Sequence, residues 1–176
     1  MEIRKLEPSD AARLEAFLKE TPEDDRTFFK EDLTDVDTVR ALLGEVKGPR
    51  FIALDGDRIV GYVRILPGTG LSSHVGELRL VVSRSSRRQG VGRNLARRAL
   101  VESVQQLKLR KLFVEVVAEQ EAAINMFKKL GFVPEAILRD HLRDRRGKMQ
   151  DLLLLCHFVD ENWAGLHGLG VDREVG

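Results

Sequence analysis

Cysteine is almost absent from this chain. The single residue, Cys156, excludes an intramolecular disulfide and suits a reducing compartment. Charge of one sign is missing too, since 29 Lys+Arg against 28 Asp+Glu leave a net charge of +1. No general affinity for nucleic acid or membrane follows from that balance. Aromatic residues make up only 6% of the sequence, and none interleaves the arginines at 84–98, which argues against a nucleic-acid surface there. No apolar run approaches the ~20 residues of a spanning helix. The start, Met1-Glu2-Ile3-Arg4-Lys5, lacks the apolar core of a signal peptide. Internal repeats and low-complexity linkers are absent, as are the P-loop and Rossmann glycine spacings. What remains is the composition of an ordinary cytoplasmic protein: 176 residues, 43% hydrophobic, fit one domain with a real core.

Strand and helix patterns alternate along the chain. Glu2–Leu6 reads as a short strand, and Ser9 is placed to cap a helix running to about Lys19. Residues 20–33 are polar, and Thr34 or Asp35 opens a second helix carrying Val36, Val39, Leu42 and Leu43. Phe51–Leu54 and Ile59–Leu66 flank Asp55-Gly56-Asp57, a hairpin signal. A strand at 75–82, a helix from Val91 to about Leu107 and a strand at Leu112–Val117 follow. The helix at 120–130 places Ala122, Ala123, Met126, Phe127 and Leu130 on one face. Phe132–Leu142 and Met149–Phe158 form a last hairpin across Asp144-Arg145-Arg146-Gly147. This order predicts an α+β domain over residues 1–160, and a loosely ordered tail over 161–176 that Trp163 anchors.

The most specific stretch is the passage from strand to helix around residues 80–95. Leu80, Val81 and Val82 run into a polar bend, and Gly90 and Gly92 open the following helix. The first-turn N–H groups of a helix have no helical partner, and the macrodipole adds partial positive charge there, so such a junction is a ready anion site. Arg87, Arg88 and Arg93 add formal charge. A plain helix start with solvated arginines explains the same residues. Arg87-x-x-Gly90-x-Gly92, however, resembles the R/Q-x-x-G-x-G/A signature of the GCN5-related N-acetyltransferases, the GNAT superfamily. Downstream, Ala122-Ala123-Ile124-Asn125-Met126-Phe127-Lys128-Lys129-Leu130-Gly131-Phe132 resembles that family's second motif, A-x-x-L-Y-E-K-L-G-F. One helix and one strand separate the two motifs, as the family requires.

The resemblance implies a mixed, mostly antiparallel sheet of about seven strands with helices on both faces. It implies acetyl-CoA as co-substrate, with its pyrophosphate on Arg87, Arg88, Gln89, Gly90, Val91, Gly92 and Arg93. Its pantetheine arm would lie along Leu80, Val81 and Val82, on a fourth strand splayed from the fifth, with Gln120 and Phe127 also at the cofactor. No metal is implied. An alkylamine of pKa ~10 is about one part in a thousand neutral at pH 7, a cost of roughly 4 kcal/mol unless a base removes the proton. Glu77 is the candidate base, with Glu115, Glu119 and His74 ranked behind it; an exposed strand-start glutamate is the plainer reading of Glu77. The chain departs from the family at Phe127, where a tyrosine able to protonate the leaving thiolate is usual, and at Gln120, where asparagine often opens the helix. Tyr62, the only tyrosine, and Cys156, within an apolar run, read as packing residues.

The expected partner is an amine acceptor, most simply a small amine or amino acid. A protein N-terminus or lysine is the alternative, and a non-catalytic acyl-CoA-binding module a second, made conceivable by Phe127. Charge clues conflict: the segment 20–37 is strongly acidic, whereas Arg139, Arg143, Arg145, Arg146 and Lys148 make the last hairpin basic. Homodimers are common in the family, and nothing in the sequence fixes the oligomeric state.

Overall fold

The computed structural model describes residues 1–22, 44, 47–144 and 146–159. The second helix expected from Thr34, the acidic positions 23–37, Arg145 and the tail lie outside those residues. The described elements, in chain order, are β1 (Glu2–Lys5), α1 (Ala11–Glu20), β2 (Arg50–Asp55), β3 (Arg58–Pro67), β4 (Val75–Val82), α2 (Val91–Gln105), β5 (Lys111–Val117), α3 (Glu121–Lys129), β6 (Val133–Arg143) and β7 (Met149–Phe158). The strands form one sheet of seven in the order β1-β2-β3-β4-β5-β7-β6. Every neighbouring pair is antiparallel except β4 with β5.

Period-2 alternation assigns each strand residue to a face. One face carries Val63, Ile65, Leu78, Leu112, Val114 and Leu155, packed under Leu95, Ala96, Ala99 and Leu100 of α2 and Ile124 and Phe127 of α3. The other face carries Ile52, Leu54, Ile59, Tyr62 and Val81 under Leu14, Phe17 and Leu18 of α1. Each fully buried leucine or phenylalanine contributes about 1.5–3 kcal/mol of transfer free energy, so these two layers hold the sheet in its twisted shape. Helices thus cover both faces. No described helix is long and apolar enough to cross a membrane.

Several local expectations shift. Ser9 does not cap α1: residues Pro8–Asp10 form a 3-10 turn, and Asp10 Oδ2 instead accepts the Glu7 N–H at 3.0 Å. Asp10 also takes both Arg4 guanidinium nitrogens, at 2.6 and 2.8 Å, stapling β1 to the start of α1. That hydrogen-bonded guanidinium holds the Asp10 carboxyl at about 2, below its usual 3.8. In α3 the buried positions are Ile124 and Phe127, while Ala122 is exposed. Helix α2 ends at Gln105, so Leu107 packs from the following turn instead of from the helix.

The decisive feature lies at the sheet's centre. β4 pairs with β5 only through Val75–Lys111, Gly76–Leu112 and Glu77–Phe113. Beyond that rung β4 stays paired with β3 up to Val82, and β5 stays paired with β7 up to Val117. Each strand follows its antiparallel partner, and the two diverge into a V.

Candidate active site

The V is the floor of a cleft of about 750 Å³. Its lining draws on both sheet faces: Leu78, Leu80, Val82, Val114 and Val116 from the α2 side, and Glu77, Arg79, Val81, Glu115 and Val117 from the α1 side. A gap between diverging strands lets side chains of both faces reach one space, which a continuous ladder would keep apart. Ala123, Met126 and Phe127 of α3 and Leu152 of β7 complete the apolar wall.

The strand–turn–helix junction forms one end. After Val82 the chain makes a 3-10 turn at Arg84–Ser86, and Arg87 Nε donates to the Val82 carbonyl at 3.2 Å. Arg88 has φ 61° and Gly90 φ 84°, so the turn crosses the left-handed region twice before α2 begins. Glycine tolerates that geometry without the Cβ penalty, which is why it stands at the helix N-cap. No side chain caps α2, and its first-turn N–H groups face the cleft end that Arg87, Arg88, Gly90, Val91, Gly92 and Arg93 line. Gly92 lies against the wall: a Cβ there would stand 3.3 Å from Met126 Sδ and 3.4 Å from Val82 Cγ2. Gln89 does not line the cleft; its Nε2 donates back to the Ser85 carbonyl at 3.1 Å.

Carboxylates gather along the rest of the cleft. Glu77, on the last β4–β5 rung, is gripped by Arg79, whose Nε and Nη2 meet its two oxygens at 2.8 and 3.1 Å. Both side chains are 13–15% exposed. Glu115 lies two residues beyond Phe113, level with Arg79. Glu119 lines the rim and pairs with Lys148 at 2.9 Å, tying the β6–β7 hairpin to the cleft. Gln120 is the N-cap of α3 without a capping hydrogen bond and faces the same space. His74 lies outside the lining, its carbonyl accepting the N–H groups of Arg110 and Lys111. Cys156 is buried, donates to Glu135, and is pushed up to about 12 by desolvation first and that carboxylate second. It offers no thiolate.

Sequence comparison decides what this cleft belongs to: the profile of the acetyltransferase (GNAT) family matches residues 12–132, well over half of the chain. The chain belongs to the GNAT acetyltransferase family. This GNAT protein is thereby an acetyl-CoA-dependent N-acetyltransferase. Among solved structures it is similar to a GNAT-family acetyltransferase from Streptococcus pneumoniae, at 25% identity and TM-score 0.72 over 90% of this chain and 99% of that one. It shares its fold with a ribosomal-protein-alanine N-acetyltransferase from Brucella melitensis, at 22% identity and TM-score 0.74 over 90% and 100% of the two chains. The same holds for a spermidine N-acetyltransferase from Vibrio cholerae in complex with CoA and spermine, at 21% identity and TM-score 0.74 over 89% and 94%. No curated protein matches the sequence significantly.

The cleft fits the co-substrate on its own geometry. It joins an uncapped helix N-terminus and three arginines to an apolar slot with an open strand edge. Those features suit in turn a pyrophosphate, an aliphatic chain carrying amides, and a thioester. Lining residues that sequence reading did not assign to the site include Arg79, Val114, Val116, Met126 and Leu152. The i,i+2 spacing of Glu77 and Arg79 put them on one strand face, but only the ladder's end puts that face in the cleft.

Proposed function

We propose that this GNAT enzyme moves the acetyl group of acetyl-CoA to a primary amine by direct attack in a ternary complex, with a small amine or amino acid as acceptor. The observation supporting this is the splay after Glu77–Phe113, where an uncapped helix start and the α1-side carboxylates Glu77 and Glu115 line one cleft. Acetyl-CoA supplies an acyl group activated as a thioester. In this reading the N–H groups of Val91, Gly92 and Arg93, with Arg87 and Arg88, hold the pyrophosphate, and the β4 edge over 78–82 takes the pantetheine amides. The α1-side carboxylates meet the amine. Glu77 accepts its proton, offsetting the roughly 4 kcal/mol that neutralising an alkylammonium costs at pH 7.

Phe127 cannot protonate the departing sulfur. Its ring is buried and packs edge-to-face on Phe132 at 5.1 Å, so it acts as wall. A thiol of pKa ~8.5 leaves without a dedicated acid, with solvent supplying the proton.

Calorimetric titration with acetyl-CoA, CoA and ATP tests the first half. Micromolar binding of both CoA species with little for ATP is the expected result, and equal binding of ATP refutes the cleft assignment. A panel of polyamines, free amino acids and an alanine-terminated peptide then tests the acceptor. Turnover of the peptide alone would move the assignment to a protein N-terminus, and CoA binding without any turnover would favour a non-catalytic module.

A further inference from the structure

The Glu77–Arg79 pair, like Arg4–Asp10, sets one guanidinium against both oxygens of a shielded carboxylate, and of these two only Glu77–Arg79 lines the cleft. Lys19–Glu15, Arg58–Glu20 and Lys148–Glu119 each involve side chains 41–71% exposed, where a pair contributes little. Glu77 and Arg79 are mostly shielded, both oxygens are engaged by one planar guanidinium, and both residues line the cleft at its vertex. A fork-on-fork contact of this kind fixes the carboxylate plane as well as its charge. The spacing makes it possible: residues i and i+2 share a strand face, and β4 is held straight there by Leu66–Glu77 and Arg64–Arg79 in the β3 register.

We infer that Arg79 is a positioning residue for the acetyl-transfer step, clamping the Glu77 carboxylate at the cleft vertex in one orientation and in its anionic form. The inference rests on the reading of Glu77 as proton acceptor. Without the clamp, a carboxylate in a narrow cleft would rotate about its last torsions, and closing the cleft over it would favour the neutral acid. A neutral acid cannot take the amine's proton. Among the described residues, charged groups on this face include Glu115 of β5, level with Arg79, Lys111 of β5, opposite Val75 and paired with Glu135, and the buried Arg64 of β3, opposite Arg79. Among the described residues, Arg79 is in direct contact with the Glu77 carboxylate through two hydrogen bonds.

The test is a pH titration of the full chain with CoA bound, using glutamate labelled with 13C at the side-chain carboxyl and Glu77→Gln to assign the signal. Arg79→Gln is expected to raise the Glu77 midpoint by about one pH unit, with Arg79→Lys in between. With an amine returned by the acceptor panel, kcat should fall about tenfold while the KM for acetyl-CoA stays within twofold. Arg79→Lys keeps the charge, so it carries the test if the glutamine variant does not fold. An unmoved midpoint in a folded variant, beside a Glu77→Gln variant with lost turnover, overturns the role of Arg79 alone. Full turnover by Glu77→Gln overturns the reading of Glu77 itself, and the role of Arg79 falls with it.

Discussion

Replacing Gly90 with aspartate probes the phosphate turn most directly, because geometry there separates backbone cost from charge. Gly90 has φ 84° and ψ −4° at the N-cap of α2. A Cβ added there meets only Asn94 Nδ2, at 4.0 Å, so alanine or aspartate would fit without a clash. Alanine therefore costs only the left-handed backbone penalty of about 1–2 kcal/mol. In a chain of this size that lowers Tm by a few degrees, about 2–4 °C per kcal/mol. Aspartate adds a negative charge beside the phosphate position. With one unit charge on each side about 8 Å apart and an effective dielectric near 20, the repulsion is about 2 kcal/mol, equivalent to roughly thirtyfold in Kd. Its left-handed backbone also denies it the extended conformation of an ordinary capping aspartate. Calorimetry should show Gly90→Asp binding CoA at least tenfold more weakly, with Gly90→Ala losing less than about fivefold. Unchanged affinity in the aspartate variant would refute the phosphate assignment. Equal losses in both variants would show that turn conformation, not charge, carries the binding. Gly92→Asp should also weaken CoA binding at least tenfold, there adding to the same charge a Cβ that would stand 3.3 Å from Met126 Sδ and 3.4 Å from Val82 Cγ2.

Asp10 makes stability acid-sensitive in a defined window. Its carboxyl is held at about 2 in the folded chain against 3.8 ordinarily, so its stabilisation is complete above pH 4 and is lost as pH falls toward 2. Thermal melts of wild type and Asp10→Asn should converge over that range, with the variant about 1–3 kcal/mol less stable at neutral pH; parallel curves would refute the linkage. Cys156, buried and pushed up to about 12, should resist a thiol reagent at pH 8 in the folded protein and react at once after unfolding. Rapid labelling of the native chain would contradict its packing role.

Residues 80–95 and 122–132 announced the family because their constraints are local. A left-handed position favours glycine wherever it occurs, and a helix start exposes N–H groups whatever packs around it. The Asp55-Gly56-Asp57 hairpin and the strand faces follow from the same short-range rules, with the β2–β3 ladder closing at Asp55–Arg58. Local rules fail where a distant neighbour decides. The helical wheel of α3 gave Ala122 to the core, yet Ala122 is exposed and Ile124 is buried in the cluster that also holds Val114, Val116 and Phe132. Gln89, expected at the cofactor from its place inside the motif, turns away to Ser85.

The splay itself left no mark in the period-2 pattern of either strand. It exists because β4 is registered on β3, as in Tyr62–Val81, while β5 is registered on β7, as in Lys111–Phe158. The sequence by itself determined the glycine turn into α2, the strand faces and the family. Tertiary structure alone decided that the ladder between β4 and β5 stops at Glu77, and with it that Glu77, Arg79 and Glu115 share the cleft. The physical reason is that backbone conformation is chosen within a few residues, whereas strand divergence is set by pairings made up to about fifty residues apart.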